Sequence, residues 1–183
     1  ADLVSLTISN GATLVLSNWN TMVTASNVDI AGTVTLPPAF TDSQMSNRVH
    51  FVSTNFTLSG SGRIDTTGKG YRGGWGTEAV PYAAGHGPGK GAISGSHYGG
   101  GAGHGGRGYR GNAGLNGGAY DSLMAPLFPG SGGAGLPASG SPTEGANGGG
   151  AVRINAADAC TIDGTIAADG IAATWTSGGG SGG

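Results

Sequence analysis

The sequence has little charge and almost no lysine. Only 10% of its 183 residues are charged and the formal net charge is -2, whereas charged residues make up about 25% of a typical globular protein. The two lysines are Lys69 and Lys90. Because binding to phosphate groups needs many cationic contacts, so small a charge does not favour nucleic acid as a partner. No run of 18 or more apolar residues is present, so the sequence predicts no transmembrane helix.

Cysteine is nearly absent as well. The single Cys160 cannot form an internal disulfide, and it leaves the redox compartment undecided. It lies in an alternating stretch, where we expect it on a buried face as a small hydrophobe. The chain begins at Ala1 without methionine, as a chain does after removal of a signal peptide, although a fragment or a chain cleaved from a tag begins in the same way. With few charges and many Ser, Thr, Asn and Gly residues, it is expected to be secreted or exposed at the cell surface.

Glycine is the abundant residue, and 30 of the 41 glycines lie between Gly68 and Gly150. Within this tract a strict spacing of three defines a glycine register. Three residues per turn is the period of the polyproline II helix, and glycine on one edge lets neighbouring backbones approach until they hydrogen-bond. The register predicts packed polyglycine helices; the alternative is a flexible linker. The register comprises Gly105, Gly108, Gly111, Gly114 and Gly117.

The large apolar side chains of the tract favour order over a solvated linker. These side chains are Trp75, Tyr82, Tyr98, Tyr109, Tyr120, Leu123, Met124, Leu127 and Phe128. We expect the rings of Tyr71, Tyr98 and Tyr109 to pack between the glycine helices.

The rest of the chain predicts β-structure, because apolar and polar residues alternate without helical periodicity. A short unit of strand, glycine turn and second strand begins at Leu6, Val28, Phe56 and Cys160. Repetition of such a unit predicts an all-β fold of parallel, β-solenoid-like strands, interrupted by the glycine tract. The alternative is an antiparallel β-sandwich with a glycine-rich insert, favoured by the hairpin dipeptide Asn10-Gly11.

These patterns divide a single domain, residues 1–183, into segments that differ in composition and repeat pattern. Strand repeats occupy residues 1–67, and the glycine-rich polyproline II tract occupies residues 68–150. A strand repeat returns over residues 151–170, and residues 171–183 begin a further glycine-rich repeat. The chain is therefore expected to be part of a longer repetitive protein.

A glycine run leads directly into a strand at Gly148-Gly149-Gly150-Ala151-Val152-Arg153-Ile154, and residues 162–170 and a new Gly/Ser-rich stretch follow it. This arrangement resembles large glycine-rich β-solenoid surface proteins of bacteria and protists. The glycine tract is similar to the polyglycine II bundles of phage tail-tip adhesins and of a glycine-rich antifreeze protein. The first resemblance implies a surface role, and the second implies recognition of a glycan, a receptor or ice.

Candidate binding residues are few. Trp75, Tyr98 and Tyr109 could form a platform for sugar rings, whose C–H faces suit aromatic side chains. His86, His97 and His104 match no metal-ligand spacing, and we expect these rings to be exposed or bonded to backbone. The four turn aspartates are expected to form turns through their own side chains rather than to bind calcium. They are Asp29, Asp65, Asp163 and Asp169.

No nucleophile elbow, phosphate loop or paired carboxylate in a cleft can be found, so the sequence predicts a protein that is not an enzyme and has no cofactor or metal. The leading hypothesis is an extracellular structural or adhesive module that associates with itself or with further copies of the repeat. The alternatives are a module that binds a glycan or a cell-surface receptor, and an ice-binding protein. Nucleic acid is not expected as a partner.

Overall fold

The computed structural model describes residues 3–41, 47–76, 83–93, 98–110, 114–122, 124–138, 141–173 and 177–183. The chain forms two compact units. The strand unit comprises Ala1–Pro37, Ser46–Thr66 and Val152–Ala167, and the glycine unit comprises Pro38–Met45, Thr67–Ala151 and Ala168–Gly183. These boundaries lie close to the changes in composition at residues 67 and 150.

The described secondary structure consists of twelve strands. They are β1 (Leu3–Ile8), β2 (Thr13–Val15), β3 (Val23–Ile30), β4 (Thr33–Thr35), β5 (Arg48–Leu58), β6 (Arg63–Asp65), β7 (Ala92–Ile93), β8 (Gly114–Leu115), β9 (Pro137–Ala138), β10 (Ser141–Pro142), β11 (Ala151–Ile162) and β12 (Thr165–Ala167). The prediction of an all-β fold is confirmed.

Two four-stranded sheets form the strand unit, one in the order β1-β3-β5-β11 and the other in the order β2-β4-β6-β12. Each repeat unit of the sequence contributes one strand to each sheet, and we call such a pair of strands a rung. The four rungs are β1–β2, β3–β4, β5–β6 and β11–β12. Strands β1, β3 and β5 pair in parallel, as do β2, β4, β6 and β12. Parallel pairing is the opposite of what the antiparallel sandwich requires.

The apolar core of the strand unit follows from this register. Equivalent residues of successive rungs stack, so Leu6 aligns with Val28 and Val28 aligns with Phe56. The side chains of Val28, Phe56 and Leu58 are at most 1% exposed. Burying a side chain of this size contributes about 1.5–3 kcal/mol.

Cys160 does not belong to this core, because its side chain is exposed. The expectation that it packs as a buried hydrophobe is wrong. Strand β11 lies at the edge of its sheet, beside β5 alone, and its residues from Asp158 to Ile162 are all exposed. Alternation along the sequence predicts a strand, but whether either face is covered depends on position in the sheet.

The glycine unit is held together by backbone hydrogen bonds between segments distant in sequence. The central segment, residues 130–135, has its N–H groups directed to several neighbours. Gly130 and Gly133 both donate to segment 143–150, and Gly132 and Gly135 both donate to segment 83–93, with N···O distances of 2.8 to 2.9 Å. A strand would alternate between two directions, whereas in this segment residues three apart donate to the same neighbour.

Absence of side chains is what lets these segments touch. A Cβ on Gly133 would lie well under 3.0 Å from the carbonyl oxygen of Gly178. Similar contacts would arise at Gly73 with Gly145, and at Gly148 with Gly130. In this unit the contact surface is therefore backbone against backbone.

Candidate functional site

The clearest cluster of exposed polar and aromatic groups surrounds Trp75 in the glycine unit. The Trp75 ring is 48% exposed. The guanidinium carbon of Arg72 lies 5.7 Å from the ring centroid, and Arg72 Nε donates to Glu144 Oε1 at 2.8 Å. An exposed ring thus lies beside a partly exposed ion pair, and we call these three residues the Trp75 patch.

The backbone explains why residues so far apart in sequence converge here. The N–H of Gly145 donates to the carbonyl oxygen of Gly74 at 2.8 Å, and the N–H of Gly73 donates to Asn147 Oδ1 at 2.8 Å. Since a Cβ on Gly73 would overlap Gly145, only glycine permits this approach. The glycine packing therefore fixes the spacing of Arg72, Trp75 and Glu144.

The Trp75 patch offers an apolar aromatic face beside groups that can donate and accept hydrogen bonds. Among the described hydrogen bonds, Arg72 uses only Nε and Glu144 only Oε1. The terminal guanidinium nitrogens can donate and Glu144 Oε2 can accept. A sugar ring presents C–H groups to an aromatic face and hydroxyl groups to such an ion pair.

The other two predicted platform residues make no described ring contact with this patch. Tyr98 is 46% exposed and Tyr109 is 81% exposed. Among the ring contacts of the described residues, none joins Trp75, Tyr98 and Tyr109 to one another. The expectation of packing between glycine helices is therefore wrong for Tyr109, and the Tyr98 ring is only about half covered.

Two other described tyrosines of the glycine unit, Tyr71 and Tyr120, do pack. Tyr82 lies outside the described residues. The Tyr71 ring is 6% exposed and lies 4.9 Å from the ring of Phe40. The Tyr120 hydroxyl donates to the carbonyl oxygen of Pro129 and accepts from Ser131 Oγ at 3.0 Å. Burial raises the pKa of Tyr120 to about 12. The hydroxyl is therefore neutral over the physiological range.

A second cluster centres on Asp121, which begins a loop through Phe128. Asp121 Oδ1 accepts from the N–H of Ser122 at 2.8 Å, and Oδ2 accepts from the N–H groups of Leu127 at 2.6 Å and Phe128 at 2.7 Å. His104 Nε2 lies 3.4 Å from the same Oδ2. One carboxylate thus holds both ends of the loop.

Electrostatics at Asp121 agree with this structural role. Burial is the largest single influence on the pKa of Asp121, and acting alone it would raise that pKa. The N–H donors of Phe128, Ser122 and Leu127, with the contact to His104, outweigh burial and lower the pKa below its usual value. A carboxylate whose oxygens are already occupied is a poor general base, because a base must reach the proton that it removes.

A small cavity of about 150 Å³ adjoins the Asp121 loop, lined in part by His104, Tyr120 and Ser122. The ring of His104 lies 4.8 Å from that of Tyr120, and its side chain is only 12% exposed. The expectation of a solvent-exposed ring is therefore wrong for His104. His97 lies outside the described residues.

Apolar side chains of the Asp121 loop project outward. Met124 is 94% exposed, Leu127 49% and Phe128 38%. In the sequence these apolar residues favour an ordered tract, but the order of this loop comes from its hydrogen bonds to Asp121 and not from burial of these side chains. The backbone N–H groups of the loop turn inward, those of Leu127 and Phe128 to Asp121 and that of Met124 to Ser122 Oγ, and these side chains turn away. Leu123 lies outside the described residues.

Members of the predicted glycine register have different environments. The N–H of Gly108 donates to the carbonyl oxygen of Gly117 at 3.0 Å, and a Cβ on either residue would overlap neighbouring backbone. Gly105 is exposed, and Gly114 lies in β8, which pairs antiparallel with β7. Gly111 lies outside the described residues.

Within the described ranges, no group of three or more His, Cys, Asp or Glu side chains is placed to hold a metal ion. We also find no helix in these ranges with the length and apolarity needed to cross a membrane. Comparison with known proteins finds no matching family model, no similar curated protein and no similar solved structure.

Proposed function

We propose that this chain is a non-enzymatic, extracellular structural or adhesive module, with its strand unit built as a parallel β-solenoid and its glycine unit as a bundle of polyglycine II helices. The observation that carries the proposal is the exposure of large side chains from a backbone whose polar groups are bonded between segments. Trp75 and Tyr109 project from such backbone. A backbone held in this way presents contact residues at fixed positions, which lowers the entropic cost of binding.

Both resemblances support this proposal. Glycine-rich surface proteins and phage tail-tip adhesins are extracellular, and the second group uses polyglycine bundles to carry recognition loops. The Asp121 loop has the form expected of such a loop, because one buried carboxylate organises it and its apolar residues face outward. Self-association and binding to a receptor on another cell are the partner classes that we propose.

The test is adhesion of purified protein to an array of glycans and to intact cells. We expect the triple variant Trp75→Ala/Tyr98→Ala/Tyr109→Ala, or the loop variant Met124→Ser/Leu127→Ser, to bind at least tenfold more weakly, a loss of about 1.4 kcal/mol. The matched control is Trp19→Ala in the strand unit, where Arg48 lies 5.0 Å from the ring centroid. Wild-type adhesion by both test variants would contradict the proposal.

The Trp75 patch favours a more specific candidate, which is binding of a neutral saccharide. Trp75→Phe keeps an aromatic face, whereas Trp75→Ala removes it, and Glu144→Gln keeps the shape but removes the charge. We expect binding to be kept in the first variant, lost in the second and weakened in the third, as measured by calorimetric titration with a saccharide found on the array. Equal affinity for the saccharide in all three variants would show that the Trp75 patch is not the binding site.

A further inference from the structure

One position in the turns of the strand unit differs between the first rung and the others. The register aligns Thr13 with Thr33, Thr33 with Arg63, and Arg63 with Thr165. The residues immediately before these four occupy one column of the stack. Three of them are glycine and the first is alanine: Ala12, Gly32, Gly62 and Gly164.

Contacts at the three glycines show why a side chain is excluded there. A Cβ on Gly32 would overlap the carbonyl oxygens of Ser9 and Ala12 in the first rung. A Cβ on Gly62 would overlap the carbonyl oxygen of Ile30 in the second rung. A Cβ on Gly164 would overlap the carbonyl oxygens of Ser59 and Gly62 in the third rung. In each case the missing Cβ points toward the preceding rung. A rung can stack on its predecessor only if this residue has no side chain.

Ala12 carries a methyl group at this position and is exposed. By the same geometry, its methyl points away from the second rung, into the space where the carbonyl oxygens of another rung would lie. Among the described strands, β1 and β2 each have a partner on one side only, and their other edges are at the end of the stack that this methyl obstructs. An open edge with unpaired backbone groups otherwise invites pairing with another chain.

In other respects the two ends of the stack match. The length of the turn alternates along the stack: four residues (9–12), two (31–32), four (59–62) and two (163–164). The next rung beyond β11–β12 would therefore have a four-residue turn, which is what the β1–β2 rung has. Such a turn contains Ser59 in the third rung, whose N–H and hydroxyl both donate to the carbonyl oxygen of Ile30. Ser9 holds the equivalent place in the first rung, and the carbonyl of Ile162 would be its acceptor in a second copy.

Apolar side chains at both ends also continue the stacked columns. Leu14, Val34, Ile64 and Ile166 form one column, in which Ile64 is fully buried and Ile166 is 38% exposed. Leu14 of a second copy would cover Ile166, as Ile166 covers Ile64. Head-to-tail docking of this kind does not close on itself and produces filaments.

We propose that the two ends of the strand stack are complementary, and that the methyl group of Ala12 prevents copies of this chain from docking head to tail. The β11–β12 end is then a docking surface for the β1–β2 rung of a second copy that has glycine at residue 12. This inference rests on the strand unit and not on the proposed adhesive function. Any self-association of the wild-type chain must use another surface.

Sedimentation velocity over a range of protein concentrations tests the inference with Ala12→Gly. We expect this variant to assemble through these ends. The protein concentration that it needs should be at least tenfold lower than any concentration at which the wild type assembles in this way. Ala31→Gly makes the same chemical change in the turn of the second rung and is expected to behave as the wild type. Adding Ile166→Lys to Ala12→Gly places a charge on the receiving column and is expected to restore the wild-type sedimentation.

Circular dichroism of each variant checks that it is folded. If folded Ala12→Gly sediments as the wild type at every concentration, the ends are not complementary and the inference is overturned. Assembly of Ala12→Gly that survives Ile166→Lys would place the contact elsewhere and would also overturn it. Wild-type assembly that Ile166→Lys abolishes would show that the Ala12 methyl is no obstacle.

Discussion

Single glycines of the glycine unit differ in what a methyl group would meet. Gly133 is buried, and a Cβ there would overlap the backbone of Gly178, whereas a Cβ on the exposed Gly118 would meet nothing within 4 Å. Backbone atoms bonded on both sides cannot move aside as a flexible side chain can. The two positions therefore separate the effect of close packing from the general effect of replacing glycine.

We expect Gly133→Ala to lower the free energy of unfolding by at least about 1–3 kcal/mol, the usual cost of overfilling a packed interior. Gly118→Ala should leave stability unchanged or raise it by about 0.4–1 kcal/mol, because alanine restricts the unfolded chain. Urea denaturation of both variants measures the difference. Equal stability of the two variants would mean that the glycine segments are not in close contact.

His50 makes stability depend on pH. Its ring is buried, and neither ring nitrogen has a hydrogen-bond partner among the described residues. Burial, followed by the positive charges of Arg48 and Arg153, lowers the pKa of His50 below 6.5. Below pH 6.5 the unfolded chain therefore binds a proton more readily than the folded chain does, and protonation favours unfolding.

We expect the free energy of unfolding to fall as the pH decreases below 6.5 and to level off below the folded-state pKa. His50→Leu removes this titration, so its stability should decline less between pH 7 and pH 5 than that of the wild type. Thermal denaturation across this range measures both curves. Parallel curves would show that His50 titrates alike in the folded and unfolded states.

At the scale of elements, the Asp121 loop depends on one charged side chain. Asp121 has a φ of 66°, in the left-handed region that Asn also tolerates, so Asp121→Asn changes the charge while keeping the backbone preference. Hydrogen bonds to a charged group contribute about 1.5–3 kcal/mol. We expect the variant to lose about this much at pH 7 and its loop to be cleaved faster by protease.

The pH dependence of this loss has a definite sign. Because the folded-state pKa of Asp121 is lowered, its contribution is fully present above the unfolded pKa of about 3.9. The contribution disappears as the pH falls through the folded-state value. The control is Asp169→Asn, since the Asp169 side chain is exposed in the same unit. The backbone carbonyl of residue 169, which accepts a hydrogen bond from the N–H of Gly68, is unchanged by this substitution. A loss equal to that of the control would contradict the role of Asp121.

Local patterns in the sequence were enough to predict the rungs. Alternation identifies β3 and β5, and the glycine before Thr33 or Arg63 marks each turn, because both features act within a few residues. The spacing of three likewise predicts a backbone of three residues per turn. The segment whose N–H groups return to the same neighbour after three residues is 130–135, which lies outside the regular glycine register. Its glycines are spaced irregularly, and contact with neighbouring segments selects the conformation.

The candidate site was less predictable, because it depends on pairing between distant segments. Arg72 and Glu144 are separated by 72 residues, and no spacing rule connects them. Trp75 was predicted as a binding residue for its ring alone. Its neighbours follow from the contact between Gly73 and Gly145, and a sequence with so many glycines does not specify which pairs meet.

At the scale of the whole molecule, the two units are stabilised by different interactions. The apolar core cluster consists of residues of the strand unit, from Ile8 to Ile64, with Val152, Ile154 and Ala156 packed against it. In the described part of the glycine unit, the close contacts are mostly between backbone groups. Unfolding of the strand unit therefore exposes chiefly apolar surface, and unfolding of the glycine unit exposes chiefly peptide groups.

This difference predicts an unusually small heat-capacity change on unfolding. Exposure of apolar surface raises the heat capacity and exposure of polar surface lowers it. An ordinary protein of 183 residues would give about 2.2–2.7 kcal/mol/K, from about 12–15 cal/mol/K per residue. We expect scanning calorimetry to give less than roughly two thirds of that value, because the glycine unit buries so much peptide backbone and so little hydrocarbon. A value in the ordinary range would mean that the glycine unit hides an apolar core, and the rigid backbone platform proposed for adhesion would then lack its physical basis.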